Sequence, residues 1–96
     1  MRIRNFEHKG LKQLYVDDIT TGVPPDSVDK LRKMLAFLDS MQDPDELRLL
    51  PAWKAHTLAG DRKGARSLTV TRNRRLTFII DVEEPEICDL NLEDYH

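Results

Sequence analysis

The sequence has few cysteine and aromatic residues, and it has no apolar run long enough to span a membrane. It has one cysteine, Cys88, and aromatic residues make up only 6% of its 96 residues. One cysteine excludes an intramolecular disulfide and a cysteine-rich zinc framework. No apolar run approaches the roughly 18 residues of a membrane-spanning helix, and residues 1–25 lack a run of signal-peptide length. Because 40% of the residues are hydrophobic, a disordered chain is also excluded. We expect one domain over residues 1–96, cytoplasmic, without a cofactor or a membrane partner.

Charge is distributed unevenly along the chain, although the formal net charge is only −2. Residues 54–75 carry seven basic side chains and one acidic one, Asp61, whereas residues 76–96 carry seven acidic side chains and no Lys or Arg. A basic block can bind a polyanion through one face of a protein, whatever its overall charge. The alternative is that the two blocks form neighbouring strands that pair by opposite charge.

Helical periodicity dominates the first half. Residues 8–18 place Leu11, Leu14 and Tyr15 at i, i+3 and i+4, which predicts a first helix. After a break at residues 22–25, Pro25 suits the first turn of a second helix, which Asp43-Pro44 should end at or before Gln42. The apolar stripe of this helix predicts a core face, and it consists of Val28, Leu31, Met34, Leu35, Phe37, Leu38 and Met41.

The second half alternates with the period of strands. Strands are predicted near residues 2–6, 53–58, 67–71 and 76–82, with a last strand whose inner face carries Cys88, Leu90 and Leu92. A tight turn at residues 72–74 suits Asn73, because asparagine tolerates positive φ. Two N-terminal helices packed on a twisted antiparallel sheet form a two-layer α+β domain.

Proton-transfer groups concentrate at the end of the chain and at His56. If the sheet brings His56 near residues 93–96, the site holds two imidazoles, a carboxylate and a phenol beside several arginines. This set suits cleavage of an RNA phosphodiester by its own 2′-hydroxyl, which needs a base, an acid and cations. Weaker alternatives are a purely structural His56, a frayed tail, and a metal bound by His56, Asp94 and His96. Cys88 and Trp53 are interpreted as packing residues.

Five segments carry a resemblance to a known family: Phe6-Glu7-His8-Lys9-Gly10-Leu11-Lys12, Gly22-Val23-Pro24, residues 54–62, Arg75-Leu76-Thr77-Phe78 and Glu93-Asp94-Tyr95-His96. They occur in the same order as in the HigB, or killer protein, branch of the RelE/ParE toxin superfamily. The resemblance covers essentially the whole chain. Its most specific part is the terminal segment, taken together with His-x-Leu-x-Gly-Asp-Arg at residues 56–62 and the Arg-x-Thr-Phe segment.

The resemblance implies a RelE-like toxin that inhibits translation as a ribosome-dependent mRNA endonuclease acting in the ribosomal A site. Its partners would be the 70S ribosome with its mRNA and a helix-turn-helix antitoxin, through which alone it would meet DNA. Carried over by motif, the catalytic residues are His56, Asp94, Tyr95 and His96. The resemblance assigns Arg75 to the scissile phosphate and Arg62 to a contact with the RNA backbone or with ribosomal RNA. The basic block adds Lys54, Lys63, Arg72 and Arg74 as further RNA-binding cations.

The chain also departs from the family pattern. Ala59 stands where relatives usually carry Lys, which removes one cation, and Arg66 and Arg74 stand where aromatic residues are expected. Two other functions stay open. The same superfamily includes ParE-like inhibitors of DNA gyrase, which have no use for His56 and His96, and a decayed toxin could act only as a co-repressor with its antitoxin.

Overall fold

The computed structural model describes residues 1–62 and 64–94. In that part of the chain, the helices are α1 (Lys9–Asp17) and α2 (Val28–Ser40), and four short 3-10 segments occupy Pro25–Ser27, Pro44–Leu49, Pro51–Trp53 and Gly60–Arg62. The strands are β1 (Arg2–Ile3), β2 (His56–Thr57), β3 (Arg66–Thr71), β4 (Arg74–Asp81) and β5 (Glu86–Asp94). Both helices and the α+β class agree with the sequence-based prediction.

The described strands form one sheet in the order β1-β5-β4-β3-β2. β2 to β5 are consecutive and antiparallel, as predicted. The prediction of an antiparallel sheet is wrong for β1, which pairs with β5 in parallel, with Arg2 opposite Glu86. Parallel neighbours need a long crossover connection, and here the helices and three strands lie between β1 and β5 in the sequence.

The core lies between the helices and one face of the sheet, which confirms the interpretation of the apolar stripe. One cluster joins buried residues of both helices to those of the central strands: Leu11, Leu14, Leu31, Met34, Leu35, Leu38, Met41, Leu68, Val70, Leu76, Phe78, Ile87 and Leu90. Trp53 packs edge-on against Phe37, with ring centroids 5.4 Å apart, so its predicted packing role is also confirmed. No helix of the described residues is long and apolar enough to cross a membrane.

A β-bulge in β5 changes the face on which residues lie. Thr77 is opposite Asn91, but Ile79 is opposite Cys88, so β5 has one residue more than β4 in this interval. Asp89 takes up the extra residue in the left-handed region, with φ 55°. Cys88 was expected on the inner face together with Leu90. Because the bulge breaks the alternation between them, Cys88 is buried but lies outside the core cluster.

Three other local expectations need correction. The strand predicted over residues 53–58 is limited to His56–Thr57, because Pro51–Trp53 forms a 3-10 turn that ends at Lys54 with φ 50°. Val82 lies beyond the end of β4 and is 84% exposed. The turn after β3 forms without positive φ at Asn73, whose N–H donates to the Thr71 hydroxyl at 3.3 Å.

The start of α1 packs closely against the loop that follows it. His8 is the N-cap, and its Nδ1 accepts a hydrogen bond from the Leu11 N–H at 3.1 Å. Gly10 lies against Gly22, so that a Cβ at position 10 would stand 2.0 Å from the Gly22 carbonyl oxygen. Glycine is required at position 10 by this approach of two backbone segments.

Candidate functional site

The face of the sheet opposite the core carries the polar side chains of the site. Residues that oppose each other on neighbouring antiparallel strands share a face. His56 is opposite Ser67, Ser67 is opposite Thr77, and Thr77 is opposite Asn91. The next row on the same face consists of Thr69, Arg75 and Glu93. We call this surface, defined by these two rows, the polar face; it carries both His56 and Arg75.

The Glu93 carboxylate is the meeting point of this face. Arg62 binds it through both terminal nitrogens, at 2.6 and 2.5 Å. The Thr77 hydroxyl donates to the same carboxylate, and Arg75 approaches it from the neighbouring strand at 3.5 Å. Two guanidinium groups and a hydroxyl therefore converge on one anionic group, and Arg62 binds it in the bidentate geometry that arginine also uses for phosphate.

These contacts hold Glu93 ionised. The hydrogen bonds from Arg62, supported by that from Thr77, lower the pKa of Glu93 to about 2. The same interaction raises the pKa of Arg62. The Glu93 side chain is only 20% exposed, whereas that of Arg62 is 43% exposed. The group thus combines a strand-borne carboxylate with a more accessible cation from the Gly60–Arg62 segment.

His56 is exposed at the edge of the sheet, in the short strand β2. Its Nδ1 lies 3.0 Å from the carbonyl oxygen of Lys54. A carbonyl oxygen only accepts, so this contact requires the proton on Nδ1 and leaves Nε2 as the acceptor of a neutral ring. The left-handed conformation of Lys54 precedes this contact and ends the 3-10 turn. The local backbone therefore selects a His56 tautomer that is able to accept a proton.

Asp94 lies on the other side of the sheet. It follows Glu93 on β5, so its side chain alternates to the core side, where it pairs with Arg74 at 3.4 Å. Arg74 also lies 3.8 Å from Asp26 at the start of the Pro25–Ser27 segment. The described structure thus brings His56, Arg75 and Arg62 to one face and leaves Asp94 with Arg74 on the other. Tyr95, His96 and Lys63 lie outside the described residues.

The remaining predicted cations are distributed around the sheet. Lys54 is exposed next to His56, and Arg72 is exposed in the turn between β3 and β4. The pairing of oppositely charged strands, stated above as the alternative, is confirmed for β4 and β5 by Arg74 with Asp94 and by Arg75 with Glu93. The basic block is thus partly neutralised by the acidic block that follows it.

Comparison with known proteins agrees with this architecture. A family model described as RelE-like toxin of type II toxin-antitoxin system HigB matches residues 4–96. The chain belongs to the HigB toxin family. It is 42% identical to Endoribonuclease HigB of Proteus vulgaris over 94 residues, which cover 98% of this chain and 99% of that protein. It is 35% identical over 74 residues to Toxin HigB-1 of Vibrio cholerae serotype O1, which covers 76% of this chain and 78% of that one.

The fold is shared with a solved structure of much lower identity. YafQ from Escherichia coli strain BL21(DE3) superposes with a TM-score of 0.64 at 16% identity, covering 98% of this chain and 93% of YafQ. Family membership makes this HigB-family chain the toxin of a type II toxin-antitoxin system, with an antitoxin as its partner. Its 42% identity with an endoribonuclease over nearly the whole chain supports the same enzymatic activity.

Two residues of this HigB-family site were not among the predicted site residues, Thr77 and Glu93. Both lie inside the segments that carry the family resemblance, but neither was assigned a role. The alternation of side chains along β4 and β5 was sufficient to place both residues on the face that carries Arg75. If Leu76 and Leu92 face the core, Thr77 and Glu93 must face the other way together with Arg75. What alternation alone does not supply is the register that sets Glu93 opposite Arg75.

Metal ligation finds no support in the part of the chain that is described. Among residues 1–62 and 64–94, no three His, Cys, Asp or Glu side chains are grouped so that they could hold a metal ion. The metal site considered for His56, Asp94 and His96 includes a residue outside that part. Within it, His56 and Asp94 lie on opposite faces of the sheet.

Proposed function

We propose that this toxin is a ribosome-dependent mRNA endonuclease, which cuts translated mRNA in the ribosomal A site of the cytoplasm. The observation that carries the proposal is the anion-binding arrangement of Arg62, Arg75 and Thr77 on the polar face that also carries His56. An RNA phosphodiester has the charge that such a set recognises, and cleaving it needs proton transfer beside that charge.

The reaction needs no water and no cofactor in its first step. A base takes the proton of the 2′-hydroxyl, the 2′-oxygen attacks the adjacent phosphorus, and the bond from phosphorus to the 5′-oxygen breaks. An acid gives a proton to that leaving oxygen, so the products are a 2′,3′-cyclic phosphate and a 5′-hydroxyl. Cations stabilise the extra negative charge on the phosphoryl oxygens during attack.

The residues on the polar face suit these roles. His56 Nε2, which is the acceptor when Nδ1 donates to Lys54, accepts the 2′-hydroxyl proton. Arg75 binds the scissile phosphate, and Arg62 contacts the RNA backbone beside it. The family resemblance names Asp94, Tyr95 and His96 as further catalytic residues without assigning the acid. Because His56 takes the base role here, His96 protonates the leaving oxygen, and Tyr95 orients the substrate. Lys54, Lys63 and Arg72 attract the polyanion to this region, whereas Arg74 is paired with Asp94 on the other face.

The ribosome supplies what the toxin lacks. Phosphate contacts by arginine position a protein on RNA but carry no sequence information. Holding the message in the A site would fix the 2′-hydroxyl, the phosphorus and the leaving oxygen in line, which is the kind of alignment that accelerates an intramolecular step. The partner that restrains the toxin is a helix-turn-helix antitoxin, and contact with DNA occurs only through that antitoxin.

The test is primer extension on a defined mRNA, incubated with the purified toxin alone or with programmed ribosomes. We expect cuts in the A-site codon only with ribosomes, and a loss of about 10²–10⁴ in cleavage rate for His56→Gln and for His96→Gln. The matched control is His8→Asn, which removes a histidine from the N-cap of α1 while retaining a capping side chain.

Each contrary outcome has a specific meaning. Cleavage by His56→Gln at the wild-type rate would remove His56 from the mechanism. An intact message with folded wild-type toxin on ribosomes would reject the proposal. Gyrase-dependent DNA damage on expression would then favour the inhibitor class, and tolerance of unrestrained expression would favour a co-repressor.

A further inference from the structure

Glu93 holds a position that neither proton transfer nor phosphate binding explains. A carboxylate beside the arginines of an RNA-cleaving site repels the substrate phosphate and opposes its binding. Yet it accepts hydrogen bonds from two different segments, the Gly60–Arg62 turn through Arg62 and β4 through Thr77 and Arg75. The cost in attraction to RNA therefore needs a compensating benefit.

Glu93 connects the exposed Gly60–Arg62 turn to the sheet. Arg62 is the last residue of a three-residue 3-10 turn that begins at Gly60, with φ 72°, and Gly64, with φ 93°, lies two residues further along the chain. Apart from its chain neighbours, no atom of the described residues lies within 4 Å of a Cβ built on either glycine, so neither glycine is packed against another segment. The turn reaches the sheet through the bidentate pair of Arg62 with Glu93. Glu93 is thus a fixed point on a rigid strand for a cation on an exposed loop.

We infer that Glu93 is a positioning residue of the nuclease, which fixes the Arg62 and Arg75 guanidinium groups relative to each other on the polar face. The inference rests on the proposed function, since it assigns these arginines to the RNA phosphates. Each terminal nitrogen of Arg62 carries two hydrogens, so a bidentate pair with Glu93 leaves one hydrogen on each pointing away from the carboxylate. The Glu93 carboxylate weakens the attraction of these arginines to RNA, but it fixes the positions of their guanidinium groups.

This role predicts that binding and cleavage change in opposite directions in Glu93→Gln. The amide removes one negative charge from the cluster and offers one acceptor and one donor, so it loses the bidentate pair with Arg62. RNA binding should become tighter, and the slope of log K against log salt should steepen by about 0.7 for one more cation available to a single strand. Single-turnover cleavage should fall roughly tenfold to hundredfold, because the phosphate is no longer held in place.

The chain offers a closely matched control on the same strand. Glu86 begins β5 and also pairs with two arginines, Arg4 at 2.9 Å and Arg2 at 3.3 Å, and its side chain is 17% exposed. Glu86→Gln removes the same charge and the same kind of contact far along the strand from the polar face. It should leave both the salt dependence of RNA binding and the cleavage rate at wild-type values.

The experiment combines two measurements on full-length toxin variants. Binding is measured by fluorescence anisotropy over a salt series, with an RNA oligonucleotide that carries 2′-O-methyl groups and therefore cannot be cleaved by its own 2′-hydroxyl. Cleavage is measured in a single turnover on programmed ribosomes. Glu93→Asp serves as the second variant, since it retains the charge but draws the carboxylate back by one methylene; it should bind RNA as wild type and cleave more slowly.

The outcomes separate the inference from the proposed function. An unchanged salt slope in Glu93→Gln, or an unchanged or faster cleavage rate, would overturn the positioning role, as would parallel loss of binding and cleavage in a folded variant. If the wild type and Glu86→Gln both fail to cut on ribosomes, the proposed function fails, and the salt slope still decides whether Glu93 restrains the two arginines.

Discussion

Replacement of Gly10 by alanine tests the packing that positions α1. Alanine is the better helix former, so local propensity alone predicts a gain of at most about 1 kcal/mol in the free energy of unfolding. The structure predicts the opposite sign. A Cβ at position 10 would lie 2.0 Å from the Gly22 oxygen and 2.5 Å from the Gly22 carbonyl carbon, and both are backbone atoms that no rotamer change can move.

The magnitude follows from what must shift. An ordinary contact between two such atoms is about 3.5 Å, whereas the added Cβ would lie 2.0 Å from the Gly22 oxygen. To relieve this contact, α1 and the loop at residue 22 must separate by more than about 1 Å. Leu11 and Leu14 are buried on the same helix and would lose part of their packing. Overpacking of this kind costs about 1–3 kcal/mol, and the loss of packing adds to it, so we expect a net destabilisation of about 2 kcal/mol.

Thermal unfolding followed by circular dichroism measures this effect. For a domain of 60–100 residues, about 2 kcal/mol corresponds to a fall in Tm of roughly 8–16 °C. Lys12→Ala is the matched control, because it changes an exposed residue of the same helix and should shift stability by no more than about 0.5 kcal/mol. A Tm for Gly10→Ala at or above that of the wild type would refute the close approach of α1 to the loop.

Two further predictions concern pH. Burial lowers the pKa of His8 below its ordinary value of 6.5. The stability that neutral His8 contributes is therefore complete above pH 6.5 and is lost as the pH falls below it. Urea titrations at pH 7.5 and 5.5 should show this loss in the wild type and not in His8→Asn. The pKa of Glu93 is lowered from 4.5 to about 2, so its contribution is complete above pH 4.5 and disappears as the pH falls towards 2. Acid unfolding of Glu93→Gln should therefore lack this part of the wild-type transition, whereas an identical acid profile would contradict the ion cluster.

The regular elements were predictable from periodicity, and the errors lie where local geometry interrupts it. The stripe of α2 has the 3.6-residue repeat that a buried helix face requires, and its residues lie in the core cluster or, for Val28 and Phe37, pack against it. Cys88 was placed on the wrong face because the bulge at Asp89 breaks the alternation of β5. The hydrogen bonds of Asp89 in the bulge come from outside β5. The Asn5 side chain donates to the Asp89 side chain at 2.8 Å and accepts from the Asp89 backbone N–H at 3.1 Å. A contact across 84 residues leaves no signal in the local pattern.

For the site, composition indicated the region and the family resemblance indicated the residues, but neither indicated the contacts. The segment with Arg75 and Thr77 and the segment with Glu93 were each recognised as motifs. Their convergence on one carboxylate depends on the register of β4 and β5, which tertiary packing sets. The left-handed Lys54, whose carbonyl selects the His56 tautomer, was equally hidden, because lysine shows no preference for that conformation.

The paired arginines also change what the basic block means. The number of basic residues in 54–75 suggests one broad cationic surface. In the structure, however, two consecutive carboxylates of β5 pair with arginines on opposite faces of the sheet. Glu93 pairs with Arg75 on the polar face, and Asp94 pairs with Arg74 on the other face. Cations fixed by such partners attract RNA less and locate a phosphate more accurately, whereas exposed cations such as Lys54 and Arg72 attract it from a distance. Under the function proposed above, the acidic residues of β5 divide the basic block into exposed cations that attract the RNA and paired cations that position it, and a substrate already held by the ribosome requires positioning more than attraction.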